Sequence, residues 1–175
     1  GREMTRAEMT EIFAVLMLAY PNAEMFKAPS KQALMEKLAP TITLWATCLA
    51  DVDFWTGQQA AVRVCRVCKF PPTIAEFREQ ADAVTRETRV EIETAYLMAR
   101  SAFCLKKYTE RSREEILESL PPRAKKVIEA MGGIDAFIPP GGHLFNMRDF
   151  EETYERLLRK NPVGLPGGGK KQLKD

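Results

Sequence analysis

Lys69-Phe-Pro-Pro-Thr-Ile-Ala-Glu-Phe77 is the stretch on which the fold turns. A residue before proline is pushed out of helical geometry, so Phe70, Pro71 and Pro72 stop whatever helix precedes them. Thr73 and Glu76 then stand at capping-box spacing, each side chain able to satisfy an open amide of a new first turn. Ile74, Phe77, Ala81 and Val84 follow at the three-and-four spacing of one buried helical face. One short string therefore ends a helix, caps the next and starts its apolar stripe.

The same grammar runs in both directions. Upstream, Thr5 and Glu8 form a capping box ahead of Met9, Ile12, Phe13, Leu16, Met17 and Tyr20, and Pro21 ends that helix. Ser30 caps a second helix whose stripe is Leu34, Leu38, Trp45 and Leu49, with Pro40 expected to kink or divide it. Asp53 caps a third, predicted to turn Phe54, Ala61, Val62, Cys65 and Cys68 inward. Downstream, no Gly or Pro interrupts the chain from Thr73 to about Lys106, a helix of about 50 Å if continuous. That exceeds the width of a small domain, so a boundary is expected near residue 88. Ser112 with Glu115 opens a further helix carrying Ile116, Leu117 and Leu120. Pro121 and Pro122 introduce Val127, Ile128 and Met131 up to Gly132 and Gly133. After a turn at Ile134 to Ile138, Asn146 and Asp149 cap a last helix bearing Phe150, Tyr154, Leu157 and Leu158. No Asn-Gly or Asp-Gly hairpin and no alternating β-branched run occurs. The expected fold is all-α: a small N-terminal helical bundle (4–88), joined through a long helix to a second helical module (89–159), then a flexible basic tail (160–175).

Composition bounds the function. The chain has 175 residues, 45% hydrophobic and 29% charged, enough to bury a core without a metal or disulfide staple. Its 26 Lys and Arg against 24 Asp and Glu leave +2, too little to draw the whole molecule onto nucleic acid or lipid. The longest apolar run, Ile12 to Tyr20, falls short of the about 20 residues of a membrane span. Gly1, Arg2 and Glu3 read as a remnant ahead of a native start at Met4, and with no export leader the expected location is the host bacterial cytoplasm.

Candidate chemistry is sparse. Cys65 and Cys68 form a CxxC whose sulfurs would share a helical face, open to a zinc or thiol-redox reading. Cys48, Cys104 and His143 supply no second close pair, so core cysteines are the simpler assignment. Gly164 to Lys170 has P-loop spacing, but Lys171 replaces the magnesium-binding hydroxyl and too few residues follow for a helix. Arg123, Lys125 and Lys126 differ in kind: positive charge in a helix's opening turn opposes the macrodipole, which points to an anionic partner unless Glu129 pairs Lys125. Lys170 and Lys171 extend the basic set into the tail, and DNA contact through these residues is the second functional reading. No catalytic residue, cofactor or metal site is assigned.

The string Lys69 to Phe77, preceded by the Tyr20-Pro-Asn22 turn and the Leu44-Trp45 pair, resembles the phage replicative-helicase loader and inhibitor family from Met4 to about Val84. The resemblance implies a small helical, non-enzymatic adaptor. Such a protein binds a hexameric replicative helicase, restrains its ATPase and unwinding, and delivers it to an origin-bound initiator. Phe70, Pro71, Pro72, Thr73, Ile74 and Glu76 match the family string, and their helix-stop, cap and core roles mark them as structural more than contacting. The family archetype engages the helicase through a largely unstructured C-terminal part, whereas residues 89–159 here read as folded. That half is similar to the extra helical region of longer phage and prophage relatives.

Overall fold

The structure is a computed structural model and describes residues 2–142 and 144–160. Among these residues every regular element is helical: α1 (Arg6–Ala19), α2 (Lys31–Cys48), α3 (Phe54–Val67), α4 (Ile74–Cys104), α5 (Arg113–Ser119), α6 (Pro122–Met131), α7 (Ile134–Phe137) and α8 (Met147–Lys160), with short 3-10 turns at Glu24–Phe26 and Leu105–Tyr108. The chain divides into two compact units, with the change from one to the next between Arg86 and Glu87, inside α4.

In the first unit α1 packs on both α2 and α3. Thr5 caps α1 in a complete box: its hydroxyl accepts the Glu8 amide at 3.1 Å while the Glu8 carboxylate accepts the Thr5 amide at 2.9 Å. Thr73 and Glu76 reproduce the arrangement at α4, with 3.1 and 3.0 Å. Trp45 of α2 stands at the centre of the core, edge-on to Phe13 of α1 at 5.1 Å and to Phe77 of α4 at 5.5 Å. Tilted aromatic pairs of this kind add roughly 0.5–1.5 kcal/mol each beyond area burial. The Leu44-Trp45 pair and the Lys69–Phe77 string thus meet in one cluster, through Trp45 and Phe77, while Leu44 stays exposed.

Three local expectations change. Pro40 neither divides nor ends α2, which runs through it. Pro40 is exposed, so the carbonyl that loses its amide partner there lies on the solvent side of the helix. The inward face of α3 is Gly57, Ala60, Ala61 and Val64, while Phe54, Val62, Cys65 and Cys68 are half-buried. Small size decides that rotation: a Cβ on Gly57 would meet Ile12 Cδ1 at 2.9 Å and Met4 Cε at 3.2 Å, so only a face without bulk allows α1 this close. Third, Phe70 is no core residue, being 72% exposed; Pro72 next to it is buried instead.

The second unit is built around Phe137, fully buried and ringed by Tyr96, Phe103, Phe145 and Phe150 at centroid distances of 6.1, 6.0, 5.2 and 5.4 Å. Here α6 packs on α7 and α8, and α7 on α8. Gly132 and Gly133 hold φ of 120° and 98°, values a side chain disfavours, which lets the chain reverse at the end of α6 and seat Phe137. At α5 the cap is half a box: Ser112 accepts the Glu115 amide at 3.1 Å, but the Glu115 carboxylate receives the Ser112 hydroxyl, not its amide. Asn146 accepts the Asp149 amide at 3.3 Å and so caps α8.

Candidate interaction surfaces

The first surface is the corner where α3 meets the Phe-Pro-Pro string. The Tyr20 hydroxyl lies 2.8 Å from the Cys68 carbonyl oxygen and 3.2 Å from that of Val64, donating to this pair and pinning the end of α1 to the end of α3. Burial raises the Tyr20 phenol above its ordinary value, so it stays a donor. Beyond this clamp, Val67 and Phe70 stand 64% and 72% exposed, and the Lys69 ammonium lies 5.7 Å from the Phe70 ring centre. Pro72 and the Thr73 cap fix the backbone on the far side. An apolar knob is therefore held on a defined corner.

Cys65 and Cys68 lie beneath that corner, and Cys68 has already left the helix, with φ −101° and ψ 119°. Burial pushes the Cys65 thiol up. At Cys68, desolvation followed by the Glu76 carboxylate, which receives its S–H at 3.6 Å, does the same. A redox-active or metal-binding cysteine needs the opposite shift, toward thiolate. Among the described residues, no group of three His, Cys, Asp or Glu is arranged to hold a metal ion. His143, Lys170, Lys171 and the rest of the tail beyond Lys160 lie outside the described residues.

The second surface belongs to the second unit. Glu91 of α4 receives both the Tyr154 hydroxyl of α8, at 2.8 Å, and the Arg123 guanidinium of α6. The three helices are thereby joined through one carboxylate. Burial first, then the bond to Glu91, pushes the Tyr154 phenol up to about 12. For Arg123, partial burial works against the charge, but Glu91 outweighs it and the guanidinium is held more firmly protonated. Around this group opens a cleft of about 900 Å³. Pro121, Pro122, Leu157 and Leu158 make its apolar wall, and Lys126 and Lys160 stand with Arg123 on its charged margin.

The basic trio chosen from sequence thus separates. Arg123 and Lys126 line the cleft; Lys125 points elsewhere, 2.8 Å from Glu118 and 3.8 Å from Glu129, and the Glu118 bond raises its pKa. The expected Lys125–Glu129 pair is present but is the longer of the two. Sequence reasoning missed Glu91, Tyr154 and Lys160 as part of this surface. Glu91 lies 32 residues from Arg123 and 63 from Tyr154, and its polar neighbourhood in α4 gives no signal for either partner.

Among the described residues no helix is long and apolar enough to cross a membrane. Residues 4–78 match the family model for the N-terminal domain of the phage G39 protein, a helicase-associated family. No curated protein and no solved structure matches the chain.

Proposed function

With residues 4–78 forming the N-terminal domain of this phage helicase-associated family, we propose that the protein binds a hexameric replicative helicase and controls its loading and activity without catalysing a reaction itself. The observation that carries this reading is Phe70. It belongs to the family string, yet the fold leaves it 72% exposed on a clamped corner beside Val67, where an aromatic side chain does more for a partner than for the core. Higher affinity for one helicase conformation would shift the ring's population toward that state and hold ATP turnover or opening in check until release. An origin-binding initiator is the partner to which such a complex would be delivered, in the host bacterial cytoplasm.

The DNA-binding reading draws less support, because Arg123 is spent on Glu91 and Lys125 on Glu118. The test is to mix the protein with its phage or host helicase and measure complex mass and ATPase rate. A complex should form at micromolar concentration with altered ATPase. Phe70→Ala should weaken it by about 2 kcal/mol, roughly thirtyfold, since a buried aromatic anchor is worth that much, with an unchanged melting temperature. Absence of a complex, or full affinity in the variant together with full affinity in Val67→Ser, would refute this reading.

A further inference from the structure

The cleft of the second unit lies wholly outside residues 4–78, and we infer that it is a docking site for a short acidic and apolar peptide segment of a partner protein. Its wall is apolar, from Pro122, Leu157 and Leu158, which suits leucine or aromatic side chains. Its charge is unbalanced in one direction. Glu91, the acidic residue lining it, is consumed by Arg123 and Tyr154. Lys126 and Lys160 are exposed and make no ion pair with any other described residue. The margin therefore presents two uncompensated positive charges beside an apolar wall, and carboxylates alternating with apolar side chains complement both features.

Two other occupants fit less well. The chain's own last segment follows directly on Lys160, but with Lys170, Lys171 and Lys174 against Asp175 it carries the same sign as the margin. A nucleic-acid backbone would satisfy the lysines but leave the leucine and proline wall uncovered and bring phosphates toward the Glu91 carboxylate. The Glu91 junction has a defined part in the site: by tying α4, α6 and α8 together it fixes the spacing of Lys126 on α6 and Lys160 on α8.

The experiment titrates the full chain with a short fluorescein-labelled peptide built of Glu, Asp, Leu and Phe and reads anisotropy. Binding with a Kd on the order of 10 µM is expected. Lys126→Glu with Lys160→Glu should weaken it about tenfold or more at low salt, while thermal unfolding stays unchanged because neither lysine is buried or paired. Lys106→Glu with Lys107→Glu, the same charge change away from the cleft, should leave affinity within about twofold of the parent. The proposal is overturned by any of four results: no binding by about 1 mM, equal losses in both double variants, displacement of the peptide by single-stranded DNA at lower concentration than by unlabelled peptide, or about tenfold tighter binding when the chain is cut after Lys160. That last result would make the terminal segment the natural occupant. Helicase binding through Phe70 is read out separately and can survive any of them.

Discussion

Truncating Phe137 to alanine tests how the second unit is held together. The ring is fully buried against four other aromatic side chains at 5.2 to 6.1 Å. A buried Phe→Ala change costs about 3–5 kcal/mol, the lost transfer energy plus the cavity left behind. Domains of this size hold roughly 0.05–0.15 kcal/mol per residue in total, so the loss takes a large share of the unit's stability. At about 4–8 °C per kcal/mol, its melting temperature should fall by at least about 12 °C. The assay is built into the sequence, because both tryptophans, Trp45 and Trp55, precede Arg86. Tryptophan fluorescence reports the first unit, while helical circular dichroism reports both. The two hydrophobic cores share no residue. The expected result is a low-temperature step in the dichroism with the tryptophan transition in place. A tryptophan transition that moves by the same amount would refute separate cores, and a dichroism shift under about 5 °C would refute Phe137 as the centre of the second.

Other outcomes follow from particular contacts. Gly57→Leu should destabilise the first unit by about 2–3 kcal/mol through overpacking against Ile12 and Met4. Gly57→Ala should stay within about 1 kcal/mol of the parent, because the gain in helix propensity offsets a shift of two flexible side-chain ends; urea titration followed by tryptophan fluorescence distinguishes them. The Arg78 guanidinium binds both Asp51 oxygens, at 3.0 and 2.7 Å, and the Cys48 carbonyl at 2.6 Å, holding the Asp51 carboxyl below its usual range. The stabilisation is present above about pH 4, where the unfolded carboxyl is ionised too, and is lost as pH falls through the lowered folded value. Asp51→Asn should therefore flatten the acid limb of the midpoint-versus-pH curve; an unchanged limb contradicts the pairing. With its phenol pushed up to about 12 from 10.0, Tyr154 gives stability that is complete below pH 10 and lost as pH rises through 12. Tyr154→Phe should remove that alkaline component from dichroism-monitored unfolding, and Glu91→Gln should lower the phenol's titration point while burial keeps it above 10.

Much of this was legible without coordinates, wherever the physics is local. Capping depends on residues three apart, so Thr5 with Glu8 and Thr73 with Glu76 announce their helices. Proline's effect on its predecessor and the three-and-four spacing of apolar residues place the rest of the all-α architecture. The family string is legible for the same reason, being contiguous.

Faces and partners were not legible, because they depend on what packs alongside. Periodicity says that α3 has an apolar side, but Gly57 facing Ile12 and Met4 determines that the small side goes inward and leaves the cysteines half-buried. Pattern alone sends Phe70 to the core, whereas the turn after α3 buries Pro72 and turns the phenyl out. Charge in the first turn of α6 flagged Arg123, Lys125 and Lys126 as equals. Only helices from three distant parts of the chain, converging on Glu91, spend Arg123, turn Lys125 to Glu118 and leave Lys126 beside Lys160. Backbone preferences are set by near neighbours along the chain, and the chemistry of a surface by neighbours in space, so one is written in the sequence and the other emerges on folding.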